Sequence, residues 1–121
     1  MSFIEVESWE IGSGNEEAHH ASIQRWFEYV RTHHEDMFAE WKSTRYYRQL
    51  DTAGSPTGRY IMMFEFYTRE GRDAYKIRRR TWDSYAAYRD DDPYHLFQEG
   101  SIHTEYWEPQ EQGLWFDHGL K

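Results

Sequence analysis

Apolar positions along the chain recur with two different periods, which divide it into strand-like and helix-like segments. Four segments alternate apolar and polar residues between turn-forming flanks, as β-strands do: Phe3–Ile11, Thr44–Leu50, Arg59–Thr68 and Ser101–Glu108. Helical spacing predicts a long first helix that ends near Trp41 and a second helix that begins near Thr68. The resulting order is β-α-β-β-α-β.

This order predicts an α+β, ferredoxin-like fold with an antiparallel sheet. The segment DTAGSPTG, Asp51–Gly58, is dense in turn-forming residues and predicts a hairpin between the second and third strands. Asp92 followed by Pro93 is typical of a helix start, so a short extra helix is expected to run through Phe97. We find no linker or internal repeat, and expect residues 1–121 to form a single domain with residues 109–121 as a C-terminal extension.

The first predicted helix carries an apolar stripe, with two histidine pairs beside it. The stripe consists of Ile23, Trp26, Phe27, Val30, Met37, Phe38 and Trp41. His34 falls within the stripe and is expected to face inward. The other three histidines of the two pairs, His19, His20 and His33, are expected at the solvent or at the helix edge.

The predicted strands have two unlike faces. In the first strand Ile4 and Val6 alternate with acidic residues, so we expect the apolar face to pack on the helices. Charged residues then gather on the opposite face: Glu5, Glu7, Glu65, Glu105, His103 and either Arg45 or Arg48. Several carboxylates cannot be buried without compensation. The face is interpreted as a polar dimer core, and a hard-metal site or a carboxylate acid/base pair is the alternative.

Composition narrows the class of protein. Only 38% of the residues are hydrophobic, but 19% are aromatic, which argues against disorder. The formal net charge of -8 opposes binding to nucleic acid or to an anionic membrane surface. There is no cysteine, and no apolar stretch has the length of about 20 residues that a membrane-spanning helix needs. A cytoplasmic protein is therefore the expectation.

The two histidine pairs do not form one metal site. On a continuous helix, residues 19 and 33 would lie about 21 Å apart. Zinc generally needs three or four ligands at one point. We therefore predict no metal and no cofactor, and the sequence contains no phosphate-binding glycine loop, nucleophile elbow or HExxH motif.

The element order, together with a sheet face rich in charged and aromatic residues, resembles the dimeric α+β barrel superfamily, and two local segments add to the resemblance. THHEDMFAEW, Thr32–Trp41, resembles the end of the first helix in these proteins, and YRDDDPYHLF, Tyr88–Phe97, resembles the end of the second. The superfamily includes antibiotic-biosynthesis monooxygenases, EthD-like and stress-responsive proteins, and the NIPSNAP group. The resemblance covers about Phe3 to Glu108 and implies a homodimer that pairs through its sheet faces, with the C-terminal extension reaching across the partner.

The resemblance also implies a small hydrophobic or aromatic ligand between the sheet and the helices. A cofactor-independent monooxygenase or isomerase-type reaction is the first hypothesis. The alternative is a non-enzymatic NIPSNAP-like binding protein, including a haem-binding version with a histidine ligand. The candidate catalytic residues are His34, His103, Tyr46 and Tyr67, and the candidate ligand-binding residues are Trp9, Trp82, Tyr85 and Trp107.

Overall fold

The structure, a computed structural model, describes residues 2–82 and 96–110 together with residues 114, 116, 118 and 119. Its elements are β1 (Phe3–Glu10), α1 (Glu16–Thr32), β2 (Trp41–Leu50), β3 (Pro56–Phe66), α2 (Arg69–Thr81) and β4 (His103–Trp107). The four strands form one antiparallel sheet in the order β2-β3-β1-β4. The predicted α+β class and ferredoxin-like element order are confirmed.

The hairpin between β2 and β3 is tighter than the sequence suggested. Asp51 accepts hydrogen bonds from the backbone N–H groups of Ala53 and Ser55, both at 2.9 Å, and Gly54 takes a φ of 86°. These hydrogen bonds from the backbone to the Asp51 side chain allow the chain to reverse direction within a few residues. The strands consequently extend further into the predicted connection, and β3 begins at Pro56 rather than at Arg59.

Helix α1 ends at Thr32, so the predicted continuation to Trp41 is wrong. The residues that follow Arg31 include threonine, two histidines and an aspartate, all of which are weak helix formers. A turn replaces the helix, in which the Met37 N–H donates to the His33 carbonyl at 2.8 Å. It places Met37 and Phe38 in the core with no exposed surface, and β2 begins directly afterwards.

The core lies between the helices and one face of the sheet. Most of the predicted apolar stripe is buried there, although its last three members belong to the turn and to β2 rather than to the helix. The buried hydrophobic residues are Trp9, Ile11, Ile23, Trp26, Val30, Met37, Phe38, Trp41, Met62, Phe64, Phe66 and Tyr75. Aromatic rings therefore form much of the core.

The face prediction is wrong for β1. Glu5 and Trp9 point toward the helices with 3% and 1% of their surface exposed, whereas Ile4 and Val6 lie on the open face of the sheet. The reason is compensation from α2, because Arg72 Nε lies 3.0 Å from the Glu5 carboxylate. A paired carboxylate can be buried where an unpaired one cannot.

The predicted cluster of acidic residues on one face is consequently divided. Residues paired across antiparallel strands share a face, and Val6 pairs with both Met63 and Glu105. Glu65, Glu105 and His103 thus lie on the open face, while Glu5 and Glu7 lie on the helix face. Among the described residues no three histidine or acidic side chains converge as a metal site would require.

Some predictions fall outside the described residues. These are Tyr85, the start of the short helix at Asp92 and much of the 109–121 extension. Within the described part of the chain, no helix is long and apolar enough to cross a membrane.

Candidate functional site

A buried histidine of α1 lies at the centre of a hydrogen-bonded aromatic cluster. His19 has no exposed surface. The indole N–H of Trp9 donates to His19 Nε2 at 3.1 Å, and the Tyr46 hydroxyl lies 3.3 Å from His19 Nδ1. Three side chains, one each from β1, α1 and β2, are thus joined by two hydrogen bonds on the helix face of the sheet.

The chemistry of the three groups fixes the tautomer of His19. An indole N–H can only donate, so Nε2 of the imidazole must be the acceptor. The proton of the neutral ring then resides on Nδ1, which donates to the Tyr46 oxygen. Tyr46 keeps its own hydroxyl hydrogen, for which the described residues provide no further partner.

Burial keeps both titratable groups neutral near pH 7. Desolvation, and secondarily the charge of His20, lowers the pKa of His19 to about 4. Desolvation, followed by the influence of Tyr60, raises the pKa of Tyr46 well above its usual range. The cluster therefore presents a neutral imidazole and a neutral phenol, and the phenol acts as a hydrogen-bond donor.

Neighbouring rings hold this cluster in place. The His19 ring centroid lies 5.0 Å from that of Tyr60 and 5.9 Å from that of Phe97. Phe97 stacks on Trp9 at 4.5 Å, and Tyr60 lies parallel to Tyr46 at 5.6 Å. Such ring contacts favour one fixed arrangement of the hydrogen bonds.

Tyr46 also lines an open groove between α1 and β2. The groove has a volume of about 520 Å³, and its apolar lining includes Ile23 and Phe27. His20 and Thr44 add polar groups to the wall. The Thr44 hydroxyl is buried and has no hydrogen-bond partner among the described residues. The rest of the lining is polar or charged and consists of Gln24, Glu28, Arg31 and Arg45. A groove that combines apolar and polar groups can hold a small molecule.

Of the sequence-predicted site residues, the structure brings Trp9 and Tyr46 together. His34 is exposed in the turn after α1, where its Nε2 lies 3.4 Å from the Trp41 carbonyl. The inward position predicted for it is therefore wrong. Trp82 packs on His33 at 5.1 Å, on the far side of the core from Trp9.

The remaining candidates lie at the surface. Tyr67 and Trp107 are each 57% exposed. His103 lies on the open face of the sheet, 3.2 Å from Glu105. None of these three residues is among those that line the groove.

Sequence reasoning missed His19, although a signal was present. His19 precedes Ile23 by four residues and therefore continues the apolar stripe toward the start of the helix. The prediction that His19 lies at the solvent or at the helix edge is wrong, because its side chain is fully buried and its polar atoms are satisfied by Trp9 and Tyr46.

No family model matches the chain, and no curated protein matches it. Solved structures do share its fold. A NIPSNAP family protein from Agrobacterium tumefaciens is 11% identical with a TM-score of 0.66, over 93% of this chain and 96% of that one. A putative antibiotic biosynthesis monooxygenase from Bordetella bronchiseptica is 13% identical with a TM-score of 0.61, over 91% and 98%.

A third similar structure is SnoaB, a cofactor-independent oxygenase from Streptomyces nogalater. It is 6% identical with a TM-score of 0.62, and the match covers 93% of this chain and 97% of that chain. The chain thus shares the ferredoxin-like α+β fold of these proteins. Identities this low establish the fold, and function must be argued from the site.

Proposed function

We propose that the protein is a homodimer that binds a small hydrophobic or aromatic molecule in the groove between α1 and β2. The observation that carries this proposal is that Tyr46 lines the groove while its hydroxyl oxygen accepts a hydrogen bond from His19, whose tautomer is fixed by Trp9. The phenol hydrogen is left for a ligand.

The ligand's chemistry follows from the groove lining. Ile23 and Phe27 favour a flat apolar body. Tyr46 favours a carbonyl or similar acceptor oxygen on that body, because the phenol donates and stays neutral.

An isomerase-type proton transfer is the reaction that this arrangement supports best. When a C–H group next to a carbonyl loses its proton, negative charge develops on the oxygen, and a fixed donor such as Tyr46 stabilises it. His20, which lines the same groove, is the base in this proposal. The monooxygenase-type alternative begins with the same removal of a proton.

The non-enzymatic alternative needs only the binding step. Its haem-binding version finds no support at His19, since Trp9 and Tyr46 engage both ring nitrogens. Absence of a Soret band after reconstitution with haem would remove that version.

The binding proposal is tested with a matched pair of ligands. We expect 2-acetylnaphthalene to bind more tightly than 2-ethylnaphthalene, which has no acceptor oxygen. Replacing Tyr46→Phe should weaken binding of the ketone about five- to tenfold and leave the hydrocarbon unchanged, since one hydrogen bond is lost. Fluorescence titration of the purified protein measures both constants.

Tyr47→Phe is the control variant, because Tyr47 is the next residue along β2 and faces the opposite side of the sheet. It should bind both ligands as the parent protein does. Equal affinity of the ketone for the parent and Tyr46→Phe proteins would overturn the assignment of Tyr46.

Dimerisation through the open sheet face is the second part of the proposal. This face bears Ile4, Val6 and Met63 near its centre, and Trp107 and Tyr47 are 57% and 44% exposed. Large apolar and aromatic patches on a sheet favour a covering partner. A second copy of this chain provides an equally apolar face.

A further inference from the structure

A second polar site lies in the core, away from the groove. The Glu5 carboxylate, 3% exposed, lines a cavity of about 20 Å³ that has room for one water-sized group. Lys76 and Arg79 of α2 line the same cavity, together with aromatic rings that include Trp41. The cavity therefore joins an amine, a carboxylate and apolar walls.

Lys76 is set apart from the other cations around Glu5. Arg72 Nε contacts one oxygen of Glu5 at 3.0 Å, whereas Lys76 Nζ lies 3.7 Å from the other, beyond hydrogen-bond distance. The permanently charged guanidinium of Arg72 already neutralises the negative charge of the Glu5 carboxylate. The lysine is thus not needed as a cation in order to neutralise Glu5.

The helix places two arginines beside Lys76. Arg72 and Arg79 are its i−4 and i+3 neighbours and lie on the same face of α2. Burial lowers the pKa of Lys76, the charges of Arg79 and Arg72 lower it further, and Glu5 and Glu7 oppose them. A desolvated lysine beside other cations is an activated amine nucleophile.

An aromatic ring forms one wall of this cavity. Trp41 is 4% exposed and lines the cavity together with Lys76, so the amine lies against an apolar surface. Such a wall keeps water away and favours the neutral form of the amine.

We propose that Lys76, whose side chain is 25% exposed, forms an imine with a small aldehyde or ketone that reaches its Nζ from the solvent side of this cavity. The neutral amine attacks the carbonyl carbon and a C–N bond forms, while Glu5 transfers one proton from nitrogen to the carbonyl oxygen. Glu5 then takes the second proton from nitrogen and passes it to the resulting hydroxyl group, which leaves as water as the C=N bond forms. No oxidant or reductant is consumed.

Reductive trapping with acetaldehyde and cyanoborohydride tests this proposal on the intact protein. Hydride from the reagent converts the imine to a stable ethylamine, and peptide mass spectrometry locates it. Lys42 is the internal control, since its Nζ lies 3.6 Å from Glu65 but its side chain is 48% exposed. We expect Lys76 to be labelled about tenfold faster than Lys42 near pH 7.

Two variants show whether Lys76 is labelled quickly because its amine is activated by neighbouring cations or only because the reagent can reach it. Arg79→Gln should slow labelling of Lys76 severalfold, because it removes a neighbouring cation. Arg48→Gln makes the same change of charge at an exposed position of β2, outside the helix that carries Lys76, and should leave the rate unchanged. Equal labelling of Lys76 and Lys42, or equal effects of both variants, would overturn the proposal.

Tyr46→Phe should not affect the trapping of Lys76, because Tyr46 does not line this cavity. The outcome is therefore independent of ligand binding in the groove.

Discussion

His19 shows how a single buried side chain can set both the geometry and the acid sensitivity of the protein. Its ring is neutral because protonating Nε2 would oppose two donors, the imidazolium and the Trp9 indole. The same neutral form directs the Nδ1 proton to Tyr46. The stability of the fold and the hydrogen bonds of the candidate site thus both depend on His19 remaining neutral.

We predict that His19 makes the fold acid-sensitive. Its folded pKa of about 4 lies below the ordinary value of 6.5, so between these values the unfolded chain binds a proton that the folded protein does not. The stabilisation is complete above pH 6.5 and is lost as the pH falls toward 4. The free energy of unfolding should decrease by about 3 kcal/mol over this window.

Urea unfolding at several pH values measures this effect. His19→Gln should lose the corresponding part of the pH dependence, whereas His20→Gln, at the exposed neighbouring position, should retain most of it, because the charge of His20 is the smaller cause of the lowered pKa. A His19→Gln protein with the full parental slope would show that another group is responsible.

At the residue level, the sequence pointed to Trp9 and Tyr46, which the structure brings together, but not to His19, which lies between them. Large rings with polar tips stood out by type alone. His34 was singled out because a helix was assumed to continue through it, and the turn after Thr32 changes the direction of every later side chain. An error in one helix boundary thus shifted the predicted site from His19 to His34.

Among the elements, the turn between α1 and β2 depends on α2. Arg78 donates to the Met37 carbonyl at 3.0 Å and forms an ion pair with Glu40. The hydrogen bond from Arg78 lowers the pKa of Glu40. This clamp holds the turn that buries Met37 and Phe38.

Arg78→Gln should therefore lower the free energy of unfolding by about 1–2 kcal/mol, since charge-assisted bonds to a partly exposed pair are lost. Thermal or urea denaturation measures the change, and Arg80→Gln should have little effect. A loss for Arg78→Gln no larger than for Arg80→Gln would show that the clamp does not stabilise the turn.

The order of helices and strands was predictable because the spacing of apolar residues within a segment depends on that segment alone. Which face of β1 points toward the helices was not predictable in this way. Glu5 faces the core only because Arg72 and Lys76, distant in sequence, arrive from α2. Hydrophobicity within β1 favours the opposite face. Long-range compensation of a buried charge is invisible in the alternation of one strand.

At the scale of the whole molecule, the open sheet face is the proposed dimer interface. Val6 lies in the central strand β1 on this face, between Met63 and Glu105. Val6→Lys should convert the dimer to monomers while preserving the fold, because the face is free of the helices and a lysine would have to be desolvated in the dimer.

Sedimentation equilibrium measures the mass of each form. Gln49→Lys, an exposed position in β2, is the control and should remain dimeric. A parent protein that is monomeric at micromolar concentration would contradict the interface.

The overall topology was the most predictable property, since six periodic segments in this order permit few arrangements. The groove was less predictable than the topology, because its lining residues come from both α1 and the edge strand β2. The groove exists only once these two separate segments pack side by side.

The central claim, a ligand oxygen held by Tyr46 in the groove, is tested most directly by NMR with 2-acetylnaphthalene labelled with ¹³C at its carbonyl. We predict nuclear Overhauser contacts from the naphthalene ring to Ile23 and Phe27, and a downfield carbonyl shift that Tyr46→Phe abolishes. Contacts to Val6 and Met63 on the open face, with a carbonyl shift that Tyr46→Phe does not alter, would contradict the account.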